Sequence, residues 1–246
     1  MTPFEPRLAL ASLSGEADAE WAAAADAYAG LALLGGIALD DPTRDAARQS
    51  VLDRDRTEFL PEDPFSFVDA ELERATKADL RAGFNVRAAS PEPVARAARI
   101  CADHDAPIEI NAHCRQSEMC AAGAGESLLR DTDRLRRQVR AAADAGATVG
   151  VKARAEVEGV DLAATARTVE QAGAELFHVD AMDTERVVAE IDAASDCFLV
   201  ANNGVRDRET VREYLNYGAD AVSVGRPSDN PRVLSSVHDA VTEWFR

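Results

Sequence analysis

Lysine is almost absent from this chain: Lys77 and Lys152 are the only two, against 25 arginines in 246 residues. Aromatic residues make up only 5%, so the core must be built mainly from aliphatic side chains. Cysteine is confined to positions 101, 114, 120 and 197, with no Cys-x-x-Cys pair and no secretory leader. That argues against a disulfide framework and points to a reduced, cytoplasmic protein. No apolar run approaches the roughly 20 residues needed to cross a bilayer. An excess of positive charge is missing too: 44 acids against 27 bases leave a net charge of -17, spread along the whole chain. Such a surface argues against nucleic-acid binding by a general basic face and leaves RNA only a local patch. Abundant acids, scarce lysine and many alanines are the composition of proteins from salt-loving archaea, whose cytoplasm screens the self-repulsion. The charge therefore reports habitat rather than function.

Against that scarcity, Lys152 stands at the end of the apolar run Thr148-Val149-Gly150-Val151. Arginine would supply the charge, but its rigid planar fork gives neither a compact donor nor a neutral amine. Lys152 is accordingly a candidate site residue, the plainer alternative being a strand-end lysine that snorkels or pairs with an acid.

Short apolar runs followed by helical periodicity recur along the chain. Strands are predicted at Leu8 to Leu13, Leu31 to Leu39, Gly83 to Ala88, Ile108 to Ala112, Thr148 to Ala153, Leu176 to Val179, Phe198 to Ala201 and Ala221 to Val224. Helices are predicted from about Glu16 to Tyr28, after Ser90-Pro91 with Ser90 as cap, and over Thr132 to Ala145. Three more lie near 161–172, 183–194 and 207–217, the last capped by Asp207, and a final one runs from Pro231 to near Trp244. Gly146 ends one helix, and Gly173 and Gly218 sit where left-handed stops are wanted. Residues 41–80 are charged and irregular and read as an elaboration carrying one or two helices. The alternation favours a closed α/β (β/α)8 TIM barrel, a single domain over residues 1–246, rather than an open doubly wound sheet.

In such a barrel chemistry gathers at the C-terminal ends of the strands. Strand four ends in Asn111-Ala112-His113-Cys114-Arg115-Gln116. Cys114 there is a candidate general acid or nucleophile whose thiolate His113 and Arg115 would favour; the alternative is an inert buried thiol. His113, Cys114 and Cys120 match no strong zinc spacing, and no metal is expected. Period two puts His178 and Asp180 on one face, so His178 either donates to a cofactor or phosphate or is satisfied by Asp180. The turns Asn203-Gly204 and Gly225-Arg226 follow strands seven and eight, where barrels commonly build a phosphate cradle.

From Ile108 to Pro231 the motifs resemble those of the flavin-dependent dihydrouridine synthases and, more distantly, the dihydroorotate dehydrogenases. The strand-four segment Glu109 to Cys114 is similar to the family's Asn-x-Gly-Cys-Pro ending, and Gly123 to Leu129 to the glycine-rich stretch after it. Val151-Lys152-Ala153-Arg154 resembles the Val-Lys-x-Arg strand, His178 the strand-six histidine, Asn203-Gly204 the strand-seven turn, and Val224-Gly225-Arg226 with Pro231 the strand-eight ending. The resemblance implies FMN across the barrel mouth, contacted by Lys152 and His178, with its phosphate held at Asn203, Gly204, Gly225 and Arg226. It implies Cys114 as the acid that protonates a pyrimidine ring while reduced flavin delivers hydride, with NADPH as a candidate electron donor.

The departures are specific. His113 and Arg115 replace the family's glycine and proline, Ala11 to Gly15 replaces a Pro-Met after strand one, and Asn85 and Arg87 stand where a flavin-contacting glutamine is usual. The chain ends about one helix after Pro231, so the helical tRNA-gripping domain of the synthases is expected to be missing. Asn111, His113, Arg115 and Arg154 are then the candidates for contact with a pyrimidine or a tRNA uridine. Two other readings stay open: an aldolase-type barrel with Lys152 as Schiff-base amine, its proton repelled by Arg154, and a non-catalytic barrel that binds flavin or a phosphorylated ligand.

Overall fold

The computed structural model describes residues 3–54, 57–181 and 183–246, the side chain of Arg54 excepted. Eight parallel strands close on themselves in sequence order, the eighth pairing back onto the first. They are β1 (Leu8–Leu10), β2 (Leu31–Ala38), β3 (Arg81–Arg87), β4 (Ile108–Asn111), β5 (Val149–Arg154), β6 (Leu176–Asp180), β7 (Phe198–Asn202) and β8 (Ala221–Val224). The predicted (β/α)8 barrel is thus the observed architecture. Every strand falls where the apolar runs placed it, with ends shifted by a few residues; β1 stops three residues short of Leu13.

Eleven helices are present among the described residues: α1 (Ala19–Ala24), α2 (Asp41–Arg54), α3 (Pro64–Ala75), α4 (Pro91–Asp103), α5 (Ser117–Ala121), α6 (Ser127–Arg130), α7 (Thr132–Asp144), α8 (Leu162–Ala172), α9 (Val187–Asp192), α10 (Arg208–Asn216) and α11 (Pro231–Trp244). Asp207 caps α10 with a reciprocal capping box, and Gly173 closes α8 at φ 110°, as expected. Ser90 holds the cap position of α4 but its side chain makes no capping bond; Pro91 starts the helix by its fixed φ instead. Helices α1 and α9 are shorter than their periodicity suggested: Asp18 caps the first two residues after the predicted start, and α9 begins at Val187 rather than 183.

The 41–80 segment, within which Asp55 and Arg56 lie outside the described residues, holds two helices. Helix α3 takes the regular barrel position, burying Phe65, Val68 and Leu72. Helix α2 is the addition, and it docks on the loop after β4. Ser50 Oγ donates to Gln116 Oε1 at 3.1 Å, and Ala46 and Ala47 pack with Met119 and Ala124.

Side chains alternate in and out along each strand. Leu8, Leu10, Ile108, Ile110, Val149 and Val151 join the helices in the outer core. Inside the barrel, Ala9, Leu31, Leu33, Leu176, Val200 and Ala221 form an apolar layer sealed by Phe4. Above that layer the inward residues turn polar, which is where the site begins.

Candidate active site

The pairing register sets the polar residues in lateral rows. Asn111, Lys152 and His178 are consecutive neighbours on β4, β5 and β6. Arg154, Asp180, Asn202 and Ser223 form the next row on β5 to β8. An unpaired polar group in this enclosed space would cost on the order of 1–3 kcal/mol, and nearly all of these are paired.

The pairing forms one continuous chain across the barrel. Asn111 Nδ2 donates to Asn85 Oδ1 at 2.9 Å, and Asn85 Nδ2 to Glu109 Oε2 at 2.5 Å. Glu109 Oε1 lies 2.7 Å from His178 Nδ1, and His178 Nε2 lies 2.8 Å from Ser223 Oγ. Asn202 Nδ2 donates to the same hydroxyl at 2.5 Å. Glu109 and His178 meet across β5, where Glu109 is registered against Gly150 and His178 against Lys152. His178 is therefore satisfied by Glu109 and Ser223, not by Asp180. Burial lowers the His178 pKa, with Glu109 opposing and Lys152 reinforcing. Glu109 itself is lowered despite burial, because His178, Lys152 and the Asn85 amide favour the carboxylate.

Lys152 is 4% exposed. Its amine makes no hydrogen bond or ion pair among the described residues, though Glu109 and Asp180 are close enough to favour its charge. Burial is the larger effect and lowers its pKa. Its electrostatic neighbours are thus two acids, and Arg154, expected to repel its proton, instead lies 3.8 Å from Glu126.

The turn after β4 is fixed by Asn111, whose Oδ1 accepts the backbone N–H of both His113 and Cys114 at 3.1 and 2.9 Å. The two side chains then diverge. Cys114 packs toward the alanines of α2. The guanidinium beside it is that of Arg87, not Arg115, which is exposed. Arg87 is buried, ion-paired with an equally buried Glu58 and bonded to the carbonyl of Gly36. Gly125 presses on this turn: a Cβ there would stand 2.2 Å from the Cys114 carbonyl, at a φ of 63°. The glycine-rich stretch thus serves close backbone packing. His113 instead reaches β6, its Nε2 2.6 Å from Asp180 Oδ2.

At the β7 and β8 ends, Asn203 adopts φ 87° and Gly204 φ 69°, and Asn203 Nδ2 donates to Asp180 Oδ1 at 2.7 Å. Around Gly225 nothing lies within 4 Å of where a Cβ would be, and Arg226 is exposed. The fold therefore brings Asn85, Asn111, His113, Lys152, His178 and Asn203 together at one end of the barrel, Lys152 as a register neighbour of Asn111 and His178, sets Cys114 and Arg87 in the adjoining sector, and turns Arg115 to solvent. Sequence reasoning did not single out Glu109, Ser223, Asn202 or Glu58. The alternation in Ile108-Glu109-Ile110 marked Glu109 as inward-facing; nothing local marked Glu58.

A family model for dihydrouridine synthase matches residues 70–246. An uncharacterized protein of Methanocaldococcus jannaschii is 24% identical over 239 residues, 92% of this chain and 90% of that protein. The tRNA-dihydrouridine synthase B of Xanthomonas campestris is 28% identical over 150 residues, covering 55% of this chain and 45% of its own length. Among solved structures, morphinone reductase in complex with tetrahydroNAD is similar with a TM-score of 0.68 at 12% identity, over 94% of this chain and 87% of that one. Tryptophan synthase from Pyrococcus furiosus is similar with a TM-score of 0.59 at 15% identity, over 98% and 99%. At these identities the two structures speak to the barrel fold alone.

Proposed function

The chain belongs to the dihydrouridine synthase family, a family of flavin-dependent enzymes, and from that membership we propose an FMN-dependent oxidoreductase acting on the C=C bond of a pyrimidine-type ring. The observation that carries the reading is Lys152: a buried amine with no hydrogen bond or ion pair among the described residues, at the mouth of the barrel. A buried ammonium is costly without a partner, and the polar edge of a flavin is the partner that fits. The open space at Gly225 and the exposed Arg226 suit its phosphate, Arg226 by charge and Gly225 by admitting close backbone approach. Asn203 and Gly204 form the second turn of that cradle.

When bound, the flavin supplies the hydride; the rest is the work of the chain. Lys152 places its amine where charge develops, with Glu109 and Asp180 favouring its charge against the larger pull of burial. His178, both ring nitrogens engaged, orients Glu109 beneath that cation, and Asn85 holds the other carboxylate oxygen. Cys114 is the general acid at the substrate carbon, with the Arg87 guanidinium beside it to stabilise the thiolate left behind. Asn111, His113 and Arg154 line the substrate side. A tRNA uridine or a free pyrimidine is the substrate, and NADPH the electron donor.

An absorption spectrum of the protein purified at high salt tests the cofactor, with heat release to identify FMN. Lys152→Ala should lose flavin or turnover; full flavin with normal turnover would refute the role. The lowered pKa of Lys152 also suits a Schiff-base amine. Borohydride trapping of a substrate adduct in protein devoid of flavin would favour that second reading.

A further inference from the structure

The turn after β4 turns two titratable side chains inward, and His113, unlike Cys114, has so far been given a place on the substrate side but no chemical task. His113 replaces the glycine of the motif this turn resembles, and it is held in a definite way. Its Nε2 lies 2.6 Å from Asp180 Oδ2, while Asp180 Oδ1 accepts the amide of Asn203 at 2.7 Å. Asn203 is fixed in turn by its left-handed backbone and by the Tyr214 hydroxyl, which donates to its carbonyl at 2.8 Å. A carboxylate only accepts, so the contact makes Nε2 the protonated ring nitrogen and leaves Nδ1 with a lone pair when the ring is neutral. Nδ1 has no hydrogen-bond partner among the described residues, and the side chain is 30% exposed at the barrel mouth. The charged groups that face it are Lys152 and Arg154 on β5 and Asp180 on β6. Burial lowers its pKa most, the two cations lower it further, and Asp180 opposes them. The balance favours the neutral ring.

We propose that His113 and Asp180 form a recognition dyad of fixed tautomer, in which His113 Nδ1 accepts a hydrogen bond from a ring N–H of the substrate. It selects cyclic imides such as uracil over rings that carry a lone pair or a methyl group at that nitrogen. This inference rests on the reading of the mouth as a site for a pyrimidine-type ring. The donor it requires sits on the substrate, so it adds a specificity element distinct from the proton delivered by Cys114. Asp180 acts through the ring, much as the carboxylate of a catalytic triad fixes its histidine.

Two measurements test it on the flavin-loaded protein. Imidazole 15N NMR, with His113→Gln to assign the signals, should show His113 as the neutral Nε2–H tautomer at neutral pH; an Nδ1–H tautomer or a cation would overturn the dyad. Uracil and N3-methyluracil are then titrated against the flavin absorption band. Uracil should bind the wild type roughly 10-fold tighter or more, a preference that His113→Phe abolishes while keeping flavin. Asp180→Asn should push the proton to Nδ1 and weaken uracil similarly. An unchanged preference in His113→Phe refutes the dyad and leaves the pyrimidine reading standing. If neither pyrimidine perturbs the flavin while the expected tautomer is present, the pyrimidine reading fails and the imide assignment falls with it.

Discussion

Replacing Glu58 by alanine would strip the carboxylate from its ion pair with Arg87, whose two side chains are 0% and 1% exposed respectively. Removing one partner from such a pair strands a buried charge, at a cost of about 3–5 kcal/mol. Little is left to absorb it. Arg87 keeps its bond to the Gly36 carbonyl, and its Nε already lacks a partner among the described residues. For a chain of this size each kcal/mol moves Tm by roughly 2–4 °C, so melting by circular dichroism should fall by roughly 6–20 °C. Surface pairs weaken in salt, but this one is beyond its reach, so the drop should be alike at low and high ionic strength wherever the protein stays folded. The double replacement Glu58→Leu with Arg87→Met should recover most of the loss, because exchanging a buried pair for apolar groups of like volume is close to neutral. A Glu58→Ala melt within about 2 °C of wild type would refute the reasoning. Water would then reach Arg87, and the segment after α2 would not seal this sector of the barrel.

Four further outcomes are expected. Cys114→Ala should retain flavin by absorbance yet slow the proton-dependent half of turnover by about 10²-fold or more, and unaltered turnover would remove Cys114 from the acid role. Stability should decline on acidification: burial holds His178 and His113 below their ordinary value. The unfolded chain, titrating near 6.5, therefore takes up protons first, and stability present above about pH 6.5 is lost below it, as urea midpoints would show. A flat profile there would mean that neither ring is buried neutral. Asp207→Ala should cost about 1 kcal/mol by removing the carboxylate that accepts the Thr210 backbone N–H at the start of α10, read as a shift of the urea midpoint without change of slope. Cys101, fully buried and with its thiol pushed up to about 12, should resist a thiol reagent in the folded protein until it unfolds, whereas half-buried Cys114 reacts early.

The barrel was legible because its signals are local. An apolar run of four to eight residues, a cap such as Asp207 and a glycine stop such as Gly173 each act within one turn of the chain. Lys152 and His178 were legible for a related reason, since strand ends in a barrel share one face. What stayed hidden depends on distant pairing. Glu109 meets His178 across 69 positions and Arg87 meets Glu58 across 29, and no local pattern encodes either. Period two offers Asp180 as one partner for His178, the alternative being a cofactor or phosphate, but the turn after β4 brings His113 to that carboxylate instead. Within 41–80 the sequence pointed to one or two helices but not to their places, because α2 has little apolar face; its Ser50, Ala46 and Ala47 dock on a loop that comes much later in the chain.

The hydrogen-bonded chain from Asn111 to Asn202 anchors side chains from β3, β4, β6, β7 and β8 to one another below the level of every loop. The polar floor is in this sense a chassis on which the bodywork of loops is mounted. Loops above it can be lengthened, exchanged or recharged without disturbing the position of Glu109 or His178, which suits the barrel to acquiring new substrates. The converse also holds: a designer seeking a different ring specificity should graft at the turns after β4 and β6 and leave the six anchored positions alone.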